Sequence, residues 1–207
     1  MLKFFSFFSL MLILNIQSQA QSSIGPTAGL SIAKLYNLEN ADGITSSYKV
    51  GLSIGVAFET VINAQFSFQP ELRFTQMGDL EKFDMLADVS TNLNYISLPL
   101  FAKYKFGSNQ TKFFILAGPR IGYGIGDITG KSDEDSESMS YEDAQIKRFD
   151  FGLEFGVGVS FQLGTGSIFI DARYYLGLQK LATEQRGDNA KNTAIGINVG
   201  YLFALGN

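Results

Sequence analysis

The chain has 207 residues, 45% of them apolar, with 16 basic and 20 acidic side chains, no cysteine and no histidine. That length allows one or two domains, and the composition excludes disulfide frameworks, thiolate metal sites and every mechanism that runs through an imidazole. A formal charge of −4 makes nucleic acid an unsuitable partner.

The amino terminus reads as an export leader. Met1-Leu2-Lys3 gives a positive start, Phe4 to Ile16 is mostly apolar, and Ser18-Gln19-Ala20 is a small-x-small cleavage signal. We therefore expect a signal peptide over residues 1–20 and a single mature domain over 21–207. The apolar run is shorter than the roughly 18 residues a spanning helix needs, and no later segment reaches that length. A helical membrane protein is thereby excluded, but a barrel is not. Barrel strands alternate apolar and polar residues, which suits a mean hydropathy of only +0.09.

Taken in order, a weakly patterned first strand covers Ile24 to Leu35, followed by a polar loop, Tyr36 to Ser46. The second strand is clean: Tyr48, Val50, Leu52, Ile54, Val56 and Phe58 on one face, Lys49, Gly51, Ser53, Gly55, Ala57 and Glu59 on the other. After the link Thr60 to Ala64, the third strand sets Phe66, Phe68, Pro70, Leu72 and Phe74 against Gln65, Ser67, Gln69, Glu71, Arg73 and Thr75. Pro70 has no amide to donate, which predicts a local bulge. Met77 to Asn92 reads as a longer loop, Leu93 to Phe106 as the fourth strand, Gly107 to Thr111 as a turn, and Lys112 to Ile125 as the fifth strand.

The strongest pattern is the sixth strand, Phe149 to Leu163. Every odd position from Phe149 to Leu163 is apolar and every even one, from Asp150 to Gln162, is polar or glycine. Gly164 to Ser167 turns into the seventh strand, Ile168 to Leu178; a polar loop, Lys180 to Asn192, precedes the eighth, Thr193 to Phe203. Eight strands joined by loops that alternate long and short predict an all-β fold, an eight-stranded antiparallel up-and-down transmembrane β-barrel, with short turns on the periplasmic side and long loops outside. Phe58, Phe66, Phe106, Phe113, Phe161 and Phe203 all lie at the short-turn ends, as an interfacial girdle would. The expected location is the outer membrane, with its lipid as surroundings.

The wet faces carry Lys49, Arg73, Lys103, Lys105, Arg120 and Arg173 against Glu59, Glu71, Asp150, Glu154 and Asp171. Charges of both signs inside a narrow tube predict a paired lumenal network, because an unpaired buried charge is very costly. Glycine crowds the same faces, which should leave room for Arg and Lys side chains from other strands. An eight-stranded barrel is just wide enough to be filled by side chains, so the lumen should be plugged. Glu154 and Asp171 are the carboxylates on which acid–base catalysis would rest; the network reading makes the chain no enzyme, with no catalytic residues and no cofactor.

Asp127 to Asp143 holds seven acids against Lys131 alone, so the acidity of the chain belongs to this one loop. Asp133, Glu134, Asp135, Glu137, Glu142 and Asp143 are its candidate binding residues. Asp133, Asp135 and Glu137 alternate as calcium ligands do, but Ser138 replaces the glycine and Ala144 the final glutamate. No bound metal is therefore expected. A run so poor in apolar anchors beyond Met139 and Tyr141 should be mobile when free.

Three segments carry a family resemblance: Leu93-Asn94-Tyr95-Ile96-Ser97-Leu98-Pro99-Leu100 with Lys103-Tyr104, Ala117-Gly118-Pro119, and Asp171-Ala172-Arg173-Tyr174-Tyr175-Leu176-Gly177-Leu178. The chain resembles the PorT-like outer-membrane β-barrel proteins of Gram-negative bacteria from about Ile24 to Phe203. The resemblance implies a barrel and supplies no catalytic residue; one namesake's association with protein secretion raises that possibility. The expected function is that of a monomeric structural anchor or loop-display binding protein, with other envelope proteins as partners for the loops. The alternatives are a narrow porin or an accessory subunit of a secretion machine, and a secreted barrel of lipocalin type, which would need an apolar interior.

Overall fold

The computed structural model describes residues 22–36, 44–83, 89–108, 110–132, 136–183 and 189–206. The leader and three of the loop acids, Asp133, Glu134 and Asp135, lie outside the described residues. Eight long strands form the wall: β1 (Ser22–Tyr36), β3 (Lys49–Val61), β4 (Phe66–Phe83), β5 (Val89–Gly107), β6 (Thr111–Gly124), β9 (Phe149–Leu163), β10 (Gly166–Gly177) and β11 (Lys191–Leu205). Each pairs antiparallel with its neighbour, β11 returns to β1, and β4 pairs with β5, so the ladder closes and leaves the wall no free edge.

The alternation sets the register. Val50, Leu52, Ile54 and Val56 of β3 point outward and are exposed, while Ser53, Ala57 and Glu59 point inward and are buried. The same division holds in β9, where Val157 is 59% exposed and its neighbours Asp150 and Glu154 are almost fully enclosed. A barrel that exposes its apolar face and buries its charges is inside-out relative to a water-soluble one, and only lipid satisfies that outer surface. The lipocalin-type reading fails on this point. Near the short turns the outward aromatics touch: Phe66 meets Tyr104 at 5.0 Å between ring centres, Phe106 meets Phe113 at 5.9 Å, and Tyr201 meets Phe203 at 4.6 Å.

The short turns and both ends of the wall share one rim, the periplasmic one by the rule for such barrels. Asn63 fixes the β3–β4 turn by accepting from the amides of Gln65 and Phe66, both at 2.9 Å. The two-residue link Gly164-Thr165 between the paired Leu163 and Gly166 needs its glycine, which has φ +62°.

Three expectations change. The first strand is longer than its pattern, Ser22–Tyr36. No bulge forms at Pro70: the β4–β5 register runs unshifted from Pro70↔Leu100 to Arg73↔Ser97, and the ladder merely skips residues 71 and 72. The third concerns three of the long loops, which contain strand among the described residues. Within this stretch, Met77 to Phe83 extends β4 and Val89 to Asn92 extends β5, paired from Met77↔Leu93 to Glu81↔Val89. Short β2 (Ile44–Ser47) pairs with the end of β4, and β7 (Ile128–Lys131) pairs with the start of β5 and with β8 (Ser136–Met139). The result is an extracellular sheet in the order β2-β4-β5-β7-β8 above the rim.

Lipid contact predicts a position-dependent cost for an outward charge. Val157→Arg, near the middle of β9, should destabilise the folded protein by about 2–4 kcal/mol in bilayer refolding titrations, and Leu176→Arg, nearer a strand end, by less. Equal and negligible losses would show that this face does not meet lipid.

Candidate functional site

The lumen is filled in layers, and ten of the eleven charges predicted for it meet there. At its centre Arg173 holds two carboxylates at once. Its Nη1 and Nη2 donate to Glu71 at 2.7 and 3.0 Å, and its Nε and Nη2 donate to Asp171 at 2.7 Å each. Arg73 donates to both oxygens of Glu154, at 2.7 and 2.6 Å. Gln69 donates to Glu71 at 2.7 Å and Asn198 to Asp171 at 2.9 Å, so amides occupy further lone pairs of the carboxylates. Arg120 stands 3.9 Å from Glu154 and places its guanidinium 4.3 Å from the centre of the Tyr175 ring. Three arginines thus face Glu71, Glu154 and Asp171 in a neutral set from which water is nearly excluded. The void beside Arg73, Glu154 and Arg173 is about 20 Å³, about one water's room.

Glycine makes this possible in the way the sequence suggests. Arg73 lies across the ladder from Gly55, Arg120 from Gly152, and Arg173 from Gly156 and Gly196. Aromatics use the same device: Phe114 lies across from Gly158 and Phe169 from Gly200, and a Cβ at those glycines would sit 2.4 and 2.5 Å from the rings. These rings belong to an apolar collar with Ala57, Phe101, Leu116 and Leu202 that sequence reasoning missed. The signal was present, since Phe101, Phe114, Leu116 and Phe169 break the polar alternation of the inward face.

Towards the periplasmic rim, Lys103 donates to Glu59 and Gln69, both at 2.8 Å, over the Phe114 ring at 4.1 Å, and Lys105 donates to the other oxygen of Glu59 at 2.5 Å. Towards the extracellular rim, Asp150 is fully buried and accepts from Asn192 at 3.1 Å, and Asn192 also reaches the Tyr95 hydroxyl at 3.2 Å. Lys49, the eleventh predicted charge, is only half-buried at the extracellular start of β3, and among the described residues it joins no ion pair.

The end of the acidic segment, from Ser140 onward, caps this end of the barrel. Tyr141 is fully buried above Gly124, in one cluster with Met77, Leu93, Tyr95, Tyr175 and Leu181. Burial pushes its hydroxyl up to about 12. Beside it Glu142 receives Arg148 through two bonds of 2.9 and 3.0 Å, which hold its carboxyl at about 2, well below the usual range. That pairing favours the folded cap above the ordinary carboxyl range and is lost as pH falls towards 2. Asp143 accepts from the Ser140 hydroxyl at 2.7 Å. Of the six candidate loop acids, Glu137 alone among those described has a carboxylate with no ion pair or hydrogen bond among the described residues, its backbone pairing with Gly130; no group of three or more metal-ligating side chains occurs among the described residues.

A closed eight-stranded barrel with a lipid-facing exterior and a charge-filled lumen defines the class, an outer-membrane barrel. The chain belongs to the outer membrane protein beta-barrel domain family, which matches residues 17–183. Among solved structures it is similar to the outer membrane protein OprG from Pseudomonas aeruginosa, at 14% identity and TM-score 0.50, over 91% of this chain and 96% of that one. It is also similar to the attachment invasion locus protein Ail of Yersinia pestis, at 18% identity and TM-score 0.46, over 90% of this chain and 100% of that one. Comparison with curated proteins returns no match.

The network predicts a large penalty for removing its hub. Arg173→Ala strands Glu71 and Asp171 and should cost about 3–5 kcal/mol in urea unfolding from detergent or lipid. Lys49→Ala should change stability by less than about 0.5 kcal/mol. Similar effects for the two would remove the network as a source of stability.

Proposed function

We propose that the protein is a plugged outer-membrane anchor whose working surface is the extracellular sheet. The observation that carries this reading is the filled lumen. Ion pairs, an apolar collar and the Tyr141 cap occupy the tube from the extracellular rim down to the Lys103–Glu59 pair, which leaves the ends of the barrel as the surfaces open to a partner. The extracellular end is the larger, and among the described residues its strands β2 and β8 each pair on one side only, so both offer main-chain groups to an incoming segment. Exposed Glu137 and its neighbours in the acidic hairpin favour a basic envelope protein, or divalent ions bridging to anionic headgroups, with sensitivity to salt. In this reading the chain works as a monomer, catalyses nothing and uses no cofactor.

A second reading rests on the PorT-like resemblance. The matching segments include Tyr95, Lys103, Asp171 and Arg173, which fill the lumen, and Pro99, which is also inward. The resemblance favours an accessory subunit of a secretion machine, in which the same plugged barrel serves as a docking scaffold. A narrow porin is less favoured, since it needs a continuous aqueous path.

Replacing Thr129 to Met139 with a short Gly-Ser link removes the acidic hairpin and spares Ile128 and Tyr141 of the cap. The shortened protein should keep its heat-modifiable gel migration and lose envelope proteins that co-purify with the full chain at low salt. If the same partners are retained at low and high salt, the hairpin is not the binding surface.

A further inference from the structure

The plug is not flush with the periplasmic rim. Below the collar lies a vestibule of about 330 Å³, floored by Phe169, Leu202 and the Lys103–Glu59 pair and walled by Lys105 and Lys112. This volume lies at the lower end of the range of small-molecule sites, about 300–1,000 Å³. Its charge is unbalanced, unlike that of the central network. Both oxygens of Glu59 are already taken, one by Lys103 and one by Lys105. Lys103 is fully engaged with Glu59, Gln69 and the Phe114 ring. Lys105 has a single acceptor, and Lys112 joins no ion pair among the described residues. Among the described residues three ammonium groups therefore face one carboxylate, and two donors of Lys105 together with those of Lys112 remain to be used.

The rest of the wall is rich in neutral hydrogen-bonding groups. Ser22, Ser23, Ser160 and Ser167 contribute hydroxyls, and Gln110 and Gln162 contribute amides. A concave site with low-dielectric walls focuses the field of its excess cations. Lysines act as point charges that accept carboxylate or phosphate alike, and a ring of hydroxyls and amides matches a polyol. We propose that the periplasmic vestibule binds a small anionic saccharide, a sugar acid or sugar phosphate, with Lys105 and Lys112 on the anion and the serine and glutamine side chains on the hydroxyls. The ligand is either a free molecule or the end of a longer glycan. This site is independent of the extracellular sheet, and removal of the hairpin leaves it unchanged.

The test is calorimetric titration of the full chain in detergent micelles at low salt with glucuronate, with glucose as the neutral control and inorganic phosphate as the bare anion. Glucuronate should bind about tenfold or more tightly than glucose, as expected for two facing cations, and more tightly than inorganic phosphate. Lys112→Gln, which breaks no ion pair, should weaken it several-fold. Lys105→Gln with Lys112→Gln should abolish it, with heat-modifiable migration unchanged. Ser167→Ala should weaken glucuronate and leave phosphate unaffected. A uronate-terminated oligosaccharide that binds as tightly identifies a glycan end, and one that is excluded identifies a free sugar acid. Equal binding of glucuronate and glucose, undiminished binding by Lys112→Gln, or phosphate matching glucuronate would each overturn the proposal.

Discussion

Arg173 bound to Glu71 and Asp171 is the interaction on which the rest of the barrel depends. A guanidinium offers five donors in a rigid fork, and here four contacts reach two carboxylates within 3.0 Å. These groups come from β4 and β10, which are not neighbours in the wall, so the pair ties opposite sides of the tube together. Burying such charges is unfavourable unless each finds its partners. Around Arg173 the carboxylates do: Arg73 takes Glu154, Gln69 and Asn198 fill remaining carboxylate sites, and Phe101 lies 5.0 Å beneath the guanidinium. Glycine opposite each arginine supplies the space. The outside of the barrel is left to lipid, and the inside is specified by electrostatic pairing.

This arrangement divides the molecule functionally. The middle is rigid and closed, so any chemistry of recognition is displaced to the rims. At the extracellular rim, β6 passes through Gly126 into β7, and Arg148 donates to the Gly126 carbonyl at 3.1 Å while holding Glu142. The acidic hairpin is thus bonded to the wall at its base and extends from it as sheet. At the periplasmic rim the balance of charge tips positive. The two ends therefore differ in sign, acidic outside and basic within.

Much of this was legible in the sequence, for an identifiable reason. Where lipid lies on one side and a narrow lumen on the other, period-two alternation is enforced at every residue, as in β3 and β9, and strand count, facing and the network members follow from it. Beyond the membrane that constraint ends. Met77 to Asn92 and Ile128 to Met139 lack the strict alternation of the wall and read as loops, yet residues 77–81 pair with 89–93 and 128–131 with 136–139 because the wall strands beneath already hold them in register. Tyr141 was visible as a lone aromatic in an acidic run, but nothing local shows that Gly124 leaves a gap for its ring. Pro70 was misjudged because a proline in a ladder can be accommodated by skipping a bond as well as by inserting a residue.

Single-channel recording from the purified full-length protein in planar bilayers tests the central claim, that the lumen is sealed by its own side chains. The account predicts no steady open conductance for the wild-type barrel over long recordings, because paired charges, the collar and the Tyr141 cap leave no continuous water path. A large and persistent open conductance in the intact protein would contradict it.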